Sequence, residues 1–252
     1  MRKIFVMVSL ILTLCFSIVP AYAEGNTLVF GTEEWKDATN NDGTGLYWDI
    51  FRAVYESEGY IVKPMIRSYE GSINLLKAQR IDVMVGAYID EVDNAIYPKN
   101  HFAVDIVQVV YKNNGKYKWR GVETIKGQNV GWIKGYSFDN YLPCGIPENI
   151  QISRVYDRQA AFRLLNNNRI DFFMDPMGDL KDFLYANPKF IADYKQQKIL
   201  ELNLYIVFSN NDKGKKLAEI FDRRFSMLQK NRDIKKLYDK YKASNFTYPS
   251  DF

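Results

Sequence analysis

The chain is 252 residues long, 47% hydrophobic and 15% aromatic, and its 34 basic and 30 acidic residues leave a formal net charge of +4. No basic block or stripe interrupts that balance, so no nucleic-acid partner is implied. One histidine and two cysteines exclude a histidine-rich metal site and a disulfide framework, and nothing asks for a cofactor.

The first 23 residues, MRKIFVMVSLILTLCFSIVPAYA, combine a short basic start (Arg2, Lys3), an apolar run, the helix-breaking Pro20 and an A-x-A site at Ala21 to Ala23. That pattern is a secretory signal peptide, and the run is short for an uncleaved membrane anchor. Leu14 precedes Cys15 where a lipoprotein would need a small residue. Cleavage gives a chain starting at Glu24, free in an extracytoplasmic space, with a net charge of +2 once Arg2 and Lys3 are gone. Cys144 then has no intrachain partner, so stability has to come from burial.

From Leu28 the same order of elements occurs twice. LVFGTEE reads as a strand, GLYWDIFRAVYESEG as a helix with Tyr47, Ile50, Phe51, Val54 and Tyr55 on one face, and YIVKPMIRS as a strand. A helix ending in LLKAQRID (Leu75 to Asp82) then leads into the apolar strand Ile81 to Val85. The second round has NVGWIKG as a strand, YSFDNYL as a short helix and NIQISRVYD as a strand. LLNNNRID (Leu164 to Asp171) follows, 89 residues after its counterpart, and opens the strand Ile170 to Met174. Near-continuous apolar strands suit a parallel sheet covered on both faces, and Asp82 and Asp171 sit at the strand entrances as turn-fixing carboxylates. Two β-α-β-α-β halves with right-handed crossovers follow. AVDIVQVVYKNN (Ala103 to Asn114) and KILELNLYIVFSNN (Lys198 to Asn211) are long enough to cross between them. Two amphipathic helices, one through Leu217, Ile220, Phe221, Phe225 and Leu228 and one through Ile234, Leu237, Tyr238 and Tyr241, return to the first half. The single histidine, His101, lies among turn formers in YPKNHF and is expected to be a surface or loop residue.

In this order and spacing, GTGLYWDIFRAVYESEG resembles the "G-x-x-x-G-F-x-x-D-L" helix of the bacterial extracellular solute-binding proteins of family 3, the amino-acid-binding type of ABC importers. LLKAQRIDVMVG is similar to that family's "aL-x-x-G-x-x-D", NVGWIKGYS to its "vgv-x-x-G-s", and LLNNNRIDFFMD to its second "L-x-x-G-r-x-D-a". The resemblance implies an α/β chain with the two-lobed periplasmic binding protein fold (type II), each lobe a mostly parallel sheet flanked by helices, joined by two crossover segments. It places residues 1–23 as signal peptide, 24–110 plus 205–252 as lobe 1 and 111–204 as lobe 2.

The family's ligand chemistry transfers less well. Its ligand-holding hydroxyls fall here at Gly86 and Ala87, its carboxylate-gripping arginine at Asn94 and its ammonium-binding aspartate at Pro176, with Asp175 one place earlier. Asn cannot form a bidentate charged clamp. Other positions match: Tyr69 stands where a family aromatic stacks on the ligand, Trp35 follows the first strand, and Ser137 corresponds to a hydroxyl beside a helix start. Lys134 to Ser137 presents backbone N–H groups to a polar or anionic group, and Tyr88 follows the first repeat strand at a carboxyl end where α/β sheets bind ligands. The candidate ligand-binding residues are Trp35, Tyr69, Tyr88, Lys134, Tyr136, Ser137 and Asp175, with no catalytic or metal-binding residue.

The implied function is a monomeric, non-enzymatic periplasmic protein that captures a small polar ligand by hinge closure, for ABC-type import through an inner-membrane permease or for signalling to a sensor. Acids near the strand ends (Glu33, Glu34, Asp90, Glu91, Asp175) beside aromatics favour a neutral or cationic solute with a flat or apolar face. The alternatives are a dehydratase-like enzyme using a buried carboxylate as general acid, and a ligand-free protein-interaction module.

Overall fold

The computed structural model describes residues 26–241 together with Phe246, Tyr248, Pro249 and Phe252. The expected signal peptide therefore lies outside the described residues. The elements in chain order are β1 (Thr27–Thr32), α1 (Leu46–Tyr55), β2 (Ile61–Ile66), α2 (Tyr69–Lys77), β3 (Val83–Ala87), β4 (Ala95–Ile96) and β5 (Ala103–Lys112). There follow β6 (Asn129–Ile133), β7 (Gln151–Val155), α3 (Arg158–Asn166), β8 (Phe172–Pro176), α4 (Met177–Ala186), β9 (Tyr194–Ser209), α5 (Asp212–Lys230) and α6 (Asp233–Lys240).

The strands run in the order β2-β1-β3-β9-β5-β8-β6-β7, with β4 on β9. Each end of this path is a parallel triplet, β2-β1-β3 in one lobe and β7-β6-β8 in the other. Antiparallel β5 and β9 join them, paired from Ala103 against Leu204 to Lys112 against Tyr194. Beyond Leu204, β9 leaves β5 and pairs with β3 through Tyr205 to Phe208. The two long segments expected to cross between halves are thus one two-stranded connection. Helices α5 and α6 pack on α1 in the first lobe, where Phe30, Trp48, Phe51 and Tyr55 are fully buried.

The sequence repeat has a local cause. In each lobe an N–H in the first half of the first strand donates to the repeat aspartate: Val29 N to Asp82 Oδ2 at 3.0 Å, and Asn129 N to Asp171 Oδ2 at 3.1 Å. The repeat isoleucine then covers a glycine of that strand. A β-carbon at Gly31 would fall 2.6 Å from Ile81 Cδ1, and one at Gly131 would fall 2.9 Å from Ile170 Cδ1. The helix before each repeat opens on a capping side chain, Ser68 accepting from Gly71 N and Asp157 from Ala160 N. Each helix ends on a left-handed residue, Gln79 and Asn168, both at φ 54°. The Arg80 and Arg169 N–H groups then return to the Leu75 and Leu164 carbonyls, both at 2.9 Å.

Two expectations are corrected. The segment 136–142 forms a 3-10 turn, Phe138–Tyr141, in place of a short α-helix. His101 is in a loop but is buried, 8% exposed, with Nδ1 3.1 Å from the Ala103 carbonyl oxygen and its ring against Tyr205 and Phe252. The covering groups come from β9 and from residue 252, contacts that a local run of turn formers does not announce.

The left-handed ends generate a stability prediction. A side chain at φ 54° costs about 1–2 kcal/mol, partly offset by the greater chain entropy that glycine loses on folding. Gln79→Gly should raise the unfolding free energy by roughly 0.5–1 kcal/mol, and Asn168→Gly by less because asparagine tolerates this conformation. Urea unfolding midpoints check this; a loss of stability in Gln79→Gly would contradict it.

Candidate functional site

The carboxyl ends of β1 and β3 face those of β6 and β8 across the β5/β9 connection, and between them lies a cleft with about 900 Å³ of empty space, its solvent mouth included. Open α/β sheets place ligands at such strand ends. The walls come from both lobes and the floor from the connection, where Val104, Asp105 and Ile106 of β5 and Leu204 of β9 are exposed to the cleft.

The first wall starts where β1 ends. Trp35 N donates to Thr39 Oγ1 at 2.9 Å and the Thr39 hydroxyl donates to the Glu33 carbonyl at 2.8 Å, which fixes the loop carrying Trp35. The Trp35 ring lies on the backbone of Gly86, where a β-carbon would sit 2.4 Å from Trp35 Cη2 and where φ is 91°. Only glycine meets both demands. Tyr47 of α1 meets the Trp35 ring edge-on, the centroids 6.5 Å apart.

Glu91 organises the next two tyrosines. Its Oε2 accepts from the Tyr69 hydroxyl at 2.5 Å and from Tyr88 N at 2.9 Å, and the Tyr69 hydroxyl is also 3.2 Å from the Gly86 carbonyl oxygen. The Tyr88 hydroxyl donates to Asp105 Oδ2 at 2.8 Å. On the opposite wall Tyr136 is held by Trp132 Nε1, which donates to its carbonyl. The lobes touch here: the Tyr69 and Tyr136 rings are 6.0 Å apart and the Tyr141 hydroxyl donates to the Ile89 carbonyl at 2.9 Å.

Of the residues picked from sequence, Trp35, Tyr69, Tyr88 and Tyr136 are brought together on the cleft. Lys134, Ser137 and Asp175 are not on its lining. Lys134 is exposed and stands 3.9 Å from Glu70 of the other lobe, and Ser137 precedes the 3-10 turn without capping it. Asp175 has no exposed surface; Arg158 grips it through Nε at 2.7 Å and Nη2 at 3.2 Å, and also reaches Asp179 Oδ2 at 2.8 Å. Asn94 accepts from Asn210 Nδ2 at 2.6 Å and is not on the cleft lining.

Sequence reasoning missed Tyr47, Asp105, Asp179 and Arg158. One signal was present: Asp105 is the lone acid in AVDIVQVV, an apolar strand where a charge needs a reason. Arg158 and Asp175 are 17 residues apart, on a helix start and a strand end, and nothing local ties them.

The site holds more acid than base. Burial raises Glu33, Asp175 and Asp179, and it pushes Asp105 and Asp175 up to about 7, against the pull of the Tyr88 hydroxyl on one and of Arg158 on the other. Burial opposes the charge on Arg158 as well, but Asp175 and Asp179 outweigh it and keep that group firmly protonated. Among the described residues no group of three or more His, Cys, Asp or Glu side chains is placed to hold a metal ion, and no helix is long and apolar enough to cross a membrane.

No protein-family model matches the sequence, and no curated protein matches it. Solved structures do. A P235GK mutant of the arginine-binding protein from T. maritima superposes with a TM-score of 0.66 at 16% identity, over 87% of this chain and 96% of that one. A substrate-binding protein of an ABC uptake transporter from Streptococcus pneumoniae, solved with bound histidine, gives 0.66 at 16% identity over 89% and 96%. The GluR0 ligand-binding core from Nostoc punctiforme, in complex with L-glutamate, gives 0.64 at 17% identity over 84% and 98%.

A pH prediction follows from the raised carboxylates. Burial holds the Asp105 and Asp175 carboxyls up at about 7 in the folded chain, above the ordinary aspartate value of about 3.9 expected when unfolded, so between those values the folded chain binds more protons and its stability falls as pH rises. The midpoint of thermal unfolding should be several degrees lower at pH 8 than at pH 5; a flat or rising profile by calorimetry would show that these groups stay ionised throughout. At identities this low the likeness is one of architecture, and what it establishes is that the chain has the two-lobed fold of the periplasmic binding proteins.

Proposed function

We propose that this chain is a non-enzymatic solute-binding protein of an extracytoplasmic space, which captures a small ligand by closing its two lobes about β5 and β9. The observation that carries this reading is the cleft itself: Trp35 and Tyr69 from one lobe, Tyr136 and Asp179 from the other and Asp105 on the connection all face one space. A ligand touching all three favours the closed state, and that differential affinity drives closure. The switch of β9 from β5 to β3 between Leu204 and Tyr205 supports dividing the lobes as 24–110 plus 205–252 and 111–204. Solved neighbours include a substrate-binding protein of an amino acid ABC transporter and one of an ABC uptake transporter, and import through a membrane permease is the corresponding role here, with signalling to a sensor as its variant.

Plain α-amino acids fit this cleft poorly. Asn94 pairs with Asn210, Arg158 is already engaged by Asp175 and Asp179, and Lys36 stands exposed at the rim 3.9 Å from Asp182, so no described cation inside the cleft is left to clamp a carboxylate. Hydrogen bonds to charged groups contribute about 1.5–3 kcal/mol each, so the missing clamp weakens binding by orders of magnitude. Glutamine and histidine should give no measurable heat in calorimetry at micromolar protein; tight saturable binding of either would contradict the proposal.

Secretion and closure are tested separately. Intact-mass measurement of exported protein should show a chain beginning at Glu24, and a full-length membrane-bound product would remove the extracytoplasmic assignment. A solute found by thermal-shift screening should shrink the radius of gyration in X-ray scattering. Stabilisation with no change in radius would mean that the lobes do not close, and conversion of the solute seen by NMR would mean an enzyme.

A further inference from the structure

Asp105 is a half-buried carboxylate on the floor of the cleft with one oxygen left unengaged by the protein. It sits on β5 opposite Leu202 of β9, between Val104 and Ile106, deep in the floor. Its Oδ2 accepts from the Tyr88 hydroxyl, and its Oδ1 has no hydrogen-bond or ion-pair partner among the described residues. A carboxylate offers about four acceptor sites, so one hydrogen bond leaves most of its capacity facing the cleft. Buried ionised carboxylates are normally paired, because desolvation without a counter-charge is costly. The protein offers none nearby: Arg158 makes three contacts with Asp175 and Asp179, and Lys36, mostly exposed at the rim, faces Asp182 at 3.9 Å.

Around Asp105 the walls are aromatic. Trp35 and Tyr47 stand on one side, Tyr69 and Tyr136 across from each other at the lobe boundary, and Tyr88 beside the carboxylate. Ring faces attract cations within about 6 Å, by roughly 0.5–2 kcal/mol each as water is excluded. An anion would meet Asp105, Asp179 and Asp182, and the one cation on the lining, Lys36, stands exposed at the rim 3.9 Å from Asp182. A neutral sugar would find acceptors and a few hydroxyls but little that donates along its rim of oxygens.

Resting on the binding-protein reading above, we infer that the ligand is an organic cation without a carboxylate group, its charged head on the free oxygen of Asp105 and its body between the aromatic walls. The missing carboxylate is as much a part of the recognition as the charge. An amino acid carries the same ammonium or guanidinium but brings an anion into a cleft that already has a surplus of acid.

The test compares pairs of probes that differ only by that group. Agmatine is arginine without its carboxylate and cadaverine is lysine without its own; benzyltrimethylammonium adds an aromatic cation, and L-glutamate and glucose serve as contrasts. At least one of the three carboxylate-free cations should raise the unfolding temperature and bind in calorimetry, with the matching amino acid at least tenfold weaker. Asp105→Asn should weaken that binding at least tenfold while leaving the ligand-free protein equally or more stable at pH 8, because it removes an uncompensated charge. If Asp105→Asn does not fold, Tyr88→Phe, which frees Oδ2 as well, should still change the affinity several-fold in a protein with native circular dichroism. The inference is overturned if none of the three cations stabilises the protein, if arginine binds as well as agmatine, or if the Asp105 variant keeps full affinity. Stabilisation by glutamate or glucose instead would remove the ligand class while leaving the two-lobed binding function standing.

Discussion

Everything in this molecule hangs on the antiparallel pairing of β5 with β9. Among the described residues the two parallel triplets share no other strand pairing, so the ladder from Ala103 to Lys112 against Tyr194 to Leu204 sets how far apart the lobes stand and which ends face each other. An antiparallel pair bends and twists more readily than a covered sheet, because its connection is two strands wide. The same pair forms the cleft floor. Whatever lies against Val104 to Ile106 therefore rests on the connection itself, and an acid placed there puts a charge at the junction of the two lobes.

The polar groups of the cleft divide into two kinds with opposite energetics. Glu91 and Arg158 serve the protein: one bonds Tyr69 and Tyr88, the other neutralises Asp175 and Asp179, and both leave their partners better satisfied. Asp105 has a single hydrogen bond, from the Tyr88 hydroxyl, and burial raises its carboxyl toward neutrality. A binding site often carries this kind of local destabilisation, since a group satisfied in the free state has nothing left to offer on binding.

Much of the architecture was legible in the sequence because it rests on local periodicity. Helical spacing in α1 and α5, apolar runs in β3 and β8, and the doubled R-I-D string correspond to short-range causes: a strand N–H bonded by the aspartate and a glycine under the isoleucine. The site was legible only in part. Trp35, Tyr69, Tyr88 and Tyr136 follow strand ends, and the rule that strand ends carry ligands finds them without knowing side-chain directions. Asp175 illustrates the limit, since a carboxylate at a strand end faces the cleft or the protein according to whether a cation waits behind it, and Arg158 reaches it from another helix. Asp105 lay inside a strand assigned to crossing, so that strand's second role as the floor of the cleft went unread.

The contact of Trp35 with Gly86 bears on how this cleft could have diverged. Relatives that hold amino acids are expected to carry a hydroxyl side chain at this strand position, but here any β-carbon would enter the indole ring and any L-residue would be strained at φ 91°. Restoring the hydroxyl first breaks the packing, and shrinking the tryptophan first removes a wall of the pocket. Each single step is harmful and only the pair is productive, so the two positions form a ratchet that holds this wall of the cleft in its present shape by sterics while the surrounding sequence drifts.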